Sequence, residues 1–177
     1  MGNTKPRTLE ITKRLCVTAL FTAMTVAACS FSIPVPGGHL YFVDAVICTA
    51  AILLDPVSAL IAGGVGAFLG DLLFYPLPML VSLVTHGLQA LVISLIVRAG
   101  RNREKPFWYA VLGTFIGVII MVTGYSLGKA FIYSTPEYAI IKLPYEILQG
   151  LLGMAVSLPL CYKAGLIKIF NRFFSKK

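Results

Sequence analysis

Apolar residues fall along the chain in six long runs: Leu15 to Phe31, Leu40 to Leu54, Val57 to Phe74, Met79 to Val97, Phe107 to Phe131 and Ala139 to Tyr162. The segments between them hold most of the proline and charge. Within each run the apolar positions are continuous rather than alternating, which predicts helices and not the strands of a membrane barrel. A helix crosses a bilayer with roughly 20 apolar residues, about 17 at the lower limit. Five runs reach that length, while the second is short and is expected to draw on flanking residues or to stand with little tilt. The predicted fold class is an all-α integral membrane protein, a compact bundle of six transmembrane helices in one domain over residues 1–177. An N-terminal segment covers 1–14 and a basic tail 163–177.

Small residues recur at helical spacing on three of the runs. Ala19, Ala23 and Ala27 share one face of the first. In the third, Ala59, Gly63 and Ala67 form one row and Ala62, Gly66 and Gly70 the next, and the fifth carries Gly113, Gly117, Gly124 and Gly128. Helices in lipid associate by close packing rather than by hydrophobic drive, so these rows predict docking faces. For the first run the face serves either another helix of the same chain or a partner protein. Pro34-Val35-Pro36-Gly37-Gly38 ends that run and predicts a loop, with His39 and Tyr41 on its far side.

Charge fixes an orientation. Lys5, Arg7, Lys13 and Arg14 precede the first run, Arg98, Arg101, Arg103 and Lys105 follow the fourth, and Lys163, Lys168, Arg172, Lys176 and Lys177 follow the sixth. Six spans put all three clusters on one side, which the positive-inside rule makes cytoplasmic, with both termini inside. The net charge of +8 is then a matter of topology and of contact with anionic lipid, not of nucleic-acid binding. At 58% hydrophobic and 12% charged residues, the composition leaves no soluble alternative. Cys16, Cys29, Cys48 and Cys161 have no metal or redox spacing and read as packing residues. Val26-Ala27-Ala28-Cys29 resembles the end of a lipoprotein signal, but cleavage there would break the even helix count, so the first run is expected to stay.

Counting depth at about 1.5 Å per residue places Asp44, Asp71 and His86 roughly 5 to 10 Å inside the outer ends of their runs. Tyr125 and Lys129 lie one turn apart near the outer end of the fifth, and Lys142, Glu146 and Gln149 on one face of the outer half of the sixth. Ionisable groups within a bilayer face a cavity or one another, so this one-sided distribution predicts a pocket open outward and closed beneath, not a pore. The alternative is that Lys142 and Glu146, four residues apart, pair with each other while the aspartates anchor helix ends. No hydrolase, metalloprotease or phosphate-loop motif is present, and no metal site is predicted. Asp44 and Asp71 as an aspartyl dyad need chemical contact and a water-filled interior, and no enzymatic activity is expected.

The order of motifs resembles the substrate-binding S components of energy-coupling factor (ECF) vitamin transporters, in the riboflavin, pyridoxine and hydroxymethylpyrimidine branch. The likeness runs through Ala19-x-x-x-Ala23, Pro36-Gly37-Gly38, Val43-Asp44-Ala45-Val46-Ile47 and Leu54-Asp55-Pro56-Val57-Ser58-Ala59. It continues in Gly63-Gly64-Val65-Gly66-Ala67-Phe68-Leu69-Gly70-Asp71, His86-Gly87-Leu88-Gln89, Gly124-Tyr125 and Pro144-Tyr145-Glu146-Ile147-Leu148-Gln149-Gly150. The resemblance implies a multi-pass protein of a bacterial cell membrane that binds a water-soluble vitamin from outside. It also implies a transmembrane coupling subunit docked on Ala19, Ala23 and Ala27, and two partner ATPases that use the ATP, so this chain needs no cofactor. Together with the polar residues it designates Tyr41, Asp44, Asp71, His86, Gln89, Tyr125, Lys129, Glu146 and Gln149 as substrate-binding. The mixed charge of that set suits pyridoxine or hydroxymethylpyrimidine, then riboflavin. A stand-alone secondary carrier of a small organic solute is the alternative function.

Overall fold

A computed structural model of the chain describes residues 5–36 and 38–175. Gly37, Lys176 and Lys177 lie outside the described residues, as do the side chains of Lys5 and Arg7. The helices are α1 (Lys5–Cys29), α2 (Val43–Leu53), α3 (Pro56–Phe74), α4 (Met79–Gly100), α5 (Pro106–Tyr133), α6 (Pro136–Tyr162) and α7 (Leu166–Ser175). Five of them, with α1 counted from Thr8, are long and apolar enough to cross a membrane. The chain is thus a helical, multi-pass membrane protein.

Two features correct the sequence expectation. The segment read as a loop is an antiparallel hairpin of β1 (Ser32–Val35) and β2 (Gly38–Tyr41), with Ser32 opposite Tyr41 and Val35 opposite Gly38. Gly38 has φ +137, which a side chain would strain. Because Leu40 and Tyr41 belong to this hairpin, the short second run contracts to the 11 residues of α2. That is about 16 Å, half the hydrocarbon thickness. Nine of its residues, from Val43 to Leu53, are buried, with α1, α4 and α6 around it. A helix enclosed by other helices needs no lipid-facing length of its own. The basic tail carries α7, whose Leu166, Ile167 and Phe170 pack on the core.

Local chemistry fixes the helix starts. Asp55 caps α3, accepting from the Ser58 N–H at 3.2 Å and the Ser58 hydroxyl at 2.8 Å, with Pro56 in the first turn. Thr135 caps α6 ahead of Pro136. The small-residue rows of α3 do what their spacing predicts. A wide π-helical turn over Ile61–Val65 carries Gly63 and Gly64, where a Cβ would lie 2.9 Å from the His86 carbonyl oxygen and 2.8 Å from that of Leu83. That row therefore meets the α4 backbone directly, while Gly66 and Gly70 turn to Thr25 and Cys29 of α1. The α5 glycines all face α4. On α1 the buried side is Thr18, Phe21, Thr25 and Cys29; Ala19, Ala23 and Ala27 point away from the bundle and are exposed.

Candidate functional site

The hairpin, the start of α2, the end of α3, the start of α4, the end of α5 and the start of α6 meet at one end of the bundle. They enclose a cavity of about 280 Å³. At its side, the Asp71 carboxylate on α3 accepts from the Ser82 hydroxyl on α4, which also contacts the Tyr125 hydroxyl on α5. The His86 ring stands edge-on to Tyr125, centroids 5.3 Å apart. Across the cavity, the Lys129 ammonium lies 3.3 Å from the Glu146 carboxylate, which also accepts from the Ser126 hydroxyl at 3.2 Å. Lys142 donates to the His39 carbonyl and so ties α6 to β2.

Beneath the cavity runs a closed polar layer. His86 Nδ1 contacts Gln89 Oε1 at 2.7 Å, and the Gln89 amide donates to one Asp44 oxygen at 2.8 Å. The Gln149 amide donates to the other Asp44 oxygen at 2.7 Å, while Gln149 Oε1 accepts from the Tyr41 N–H at 3.0 Å. Asp44 is only 1% exposed, at the first turn of α2, where the helix dipole favours its charge. Gly153 lets α6 come this close, since a Cβ there would sit 2.6 Å from Asp44 Cβ. Ile47, Ile93 and Met121, fully buried, fill the space around and below. Among the described residues every buried side-chain nitrogen and oxygen has a hydrogen-bond partner.

Of the residues the sequence singled out, Tyr41, Asp71, His86, Tyr125, Lys129, Glu146 and Gln149 line the cavity. Asp44 and Gln89 do not; they form the floor that orients His86 and Gln149. Two alternatives that the sequence left open are not what the structure holds. Lys142 does not pair with Glu146 four residues on, because Lys129 reaches Glu146 from α5 and the His39 carbonyl takes Lys142. Asp44 and Asp71 are not a dyad: the first is held by two amides and the second by a serine. Sequence reasoning missed the aromatic rim. Tyr75 from the α3–α4 link and Tyr133 and Tyr138 from the adjoining ends of α5 and α6 line the mouth, with the His39 ring centroid 6.2 Å from that of Tyr75. Their signal was position, since all flank the same ends of their helices as the charged groups.

The far end of the bundle is different in kind. There Arg14, Arg98 and Arg101 gather around the α2–α3 turn and α7. Partial burial works to raise the Asp55 pKa, but the Ser58 hydroxyl and amide and the Arg98 and Arg14 guanidiniums outweigh it and hold the carboxyl below its ordinary value.

A helical membrane body whose hairpin end holds a tyrosine-rich, charge-lined cavity above a polar floor has the architecture of a membrane-embedded solute-binding protein. The family described as ECF-type riboflavin transporter, S component, matches residues 10–166, and the chain belongs to it. That family is one of transporter subunits, not of enzymes. A protein of Pyrococcus woesei, described as an uncharacterised protein in a gap 3′ region, is 32% identical over 136 residues, covering 76% of this chain and 88% of its own length.

Proposed function

We propose that the protein captures a water-soluble heteroaromatic vitamin or vitamin precursor at the hairpin end and passes it to an ATP-driven coupling module. The observation that carries this reading is the cavity itself: tyrosines and histidines to stack on a planar ring, flanked by Asp71, Lys129, Lys142 and Glu146 to fix its edge. At about 280 Å³ the cavity is just below the usual range of roughly 300–1,000 Å³ for small-molecule sites. That favours a single-ring ligand, pyridoxine or hydroxymethylpyrimidine, over riboflavin, which the family's description names. Calorimetric titration of the purified protein with each of the three tests the choice. Saturable binding of one, lost in Tyr125→Ala, is expected, and binding of none overturns the reading.

In this proposal six helices cross or enter the membrane, both termini are cytoplasmic, and the cavity faces outward. The three basic clusters support that orientation. The stripe of Ala19, Ala23 and Ala27 is the docking face for a transmembrane coupling subunit that works with two ATPases; its exposure supports an external partner over internal packing. Cysteine labelling in sealed cells tests the orientation. Modification of a cysteine at Tyr138 by an impermeant reagent is expected, and modification at Arg101 instead inverts the topology.

A further inference from the structure

We propose that the opposite end of the bundle binds the phosphate of an anionic phospholipid. A second cavity, about 210 Å³, opens there between the α2–α3 turn, the ends of α1 and α4, and α7. Arg14, Arg98 and Arg101 line it. Two carboxylates also face it, Glu10 and Asp55. Asp55 is already engaged, holding the N-terminus of α3 through Ser58 and lying 3.9 Å from Arg14. Among the described residues, no carboxylate comes within 4.0 Å of Arg98 or Arg101. Arg98 acts on Asp55 through its charge without touching it, and neither Arg98 nor Arg101 contacts a carboxylate among the described residues, so two guanidiniums, whose planar donor forks match phosphate oxygens, stand beside the cavity outside any direct ion pair.

The wall formed by α7 identifies the occupant. Phe170 and Phe174 turn toward the cavity, whereas Ile169 and Phe173, on the neighbouring flank, are 63% and 49% exposed. Lys168 and Arg172 lie on the remaining face. A helix with one side on protein, an apolar flank uncovered and basic residues beside it has the character of one lying in a membrane interface. Its place is fixed from α1: Lys13 donates to the Phe173 carbonyl at 3.1 Å and its ammonium stands 5.3 Å from the Phe173 ring centroid. The arginines alone suit any phosphate ester. The uncovered Ile169 and Phe173 beside them suit one that carries acyl chains, and the ends of the membrane-crossing helices set the cavity at headgroup depth.

The test is native mass spectrometry of the full chain released from nanodiscs of phosphatidylcholine doped with phosphatidylglycerol. Retention of one phosphatidylglycerol is expected, with a preference over phosphatidylcholine that falls about 30-fold in Arg98→Gln/Arg101→Gln. Both arginines are exposed, so folding is not at stake, and Arg98→Lys/Arg101→Lys should keep most of the preference. Ile169→Ser/Phe173→Ser should lower lipid retention with the arginines intact. Equal retention of the two lipids by the unaltered chain overturns the proposal. So does an unchanged preference in Arg98→Gln/Arg101→Gln, including one accompanied by lost assembly with partner proteins, which would make the arginines a protein interface. Displacement of the lipid by soluble glycerol phosphate overturns the lipid assignment in favour of a free phosphate ester.

Discussion

Lys129 and Glu146 offer a sharp test of how charge is held inside this bundle. They are 5% and 3% exposed, 3.3 Å apart, and join α5 to α6 on the cavity wall. Replacing Glu146 by Leu leaves a buried ammonium without its carboxylate, and leaves the Ser126 hydroxyl without its acceptor. Breaking a buried pair from one side costs about 3–5 kcal/mol, or a hundredfold or more in the folding equilibrium. Replacing both partners, as Lys129→Met/Glu146→Leu, removes the stranded charge and should restore stability to about that of the parent, since apolar substitutes for a buried pair are often neutral. The assay is denaturant unfolding in mixed micelles followed by circular dichroism, alongside ligand titration. The single variant should unfold far more readily, and the double should recover the fold but not ligand capture. A single variant as stable as the parent, or a double no better than the single, refutes the reasoning.

Three further outcomes follow from other contacts. Gly153→Leu drives a side chain into Asp44, so it should cost about 1–3 kcal/mol by overpacking and abolish ligand binding by splitting the floor, read by melting and titration of one preparation. Ala23→Trp leaves the cavity untouched and should keep ligand affinity while stopping uptake by cells that supply the coupling module; lost affinity would place the α1 stripe in the fold instead. The Asp55 carboxyl is held below its ordinary value in the folded state, so it stabilises the fold above its unfolded pKa of about 4, and that contribution is lost as pH falls through the lower folded pKa. Stability profiles on the acid side of pH 4 should therefore fall for the parent and be flatter in Asp55→Asn.

Much of this architecture was legible because lipid imposes length and continuity on helices. The rows of α3 and α5 also declared their faces, since Gly63, Gly66 and Gly124 have few uses in a membrane helix other than close approach. The hairpin was hidden because two four-residue strands rich in proline and glycine carry no alternation worth reading. The contraction of α2 follows from that hairpin and was equally hidden. Within the site, depth along each helix brought the charged groups to one end, but depth says nothing about rotation. A pairing of Lys142 with Glu146 on its own helix therefore stayed open as an alternative, although the nearer ammonium comes from α5. The tyrosine rim escaped because a count of ionisable groups inside the runs passes over residues at their edges, such as Tyr75 and Tyr138.

The floor built from Asp44, Gln89 and Gln149 has a practical consequence for anyone who reconstitutes this protein. A vessel with one mouth can be filled only from the compartment that the mouth faces. In sealed vesicles with random insertion, about half the molecules will be invisible to ligand added to the bulk until the membrane is breached. A titration that doubles its stoichiometry on adding detergent, at unchanged affinity, would be the signature of that blind side.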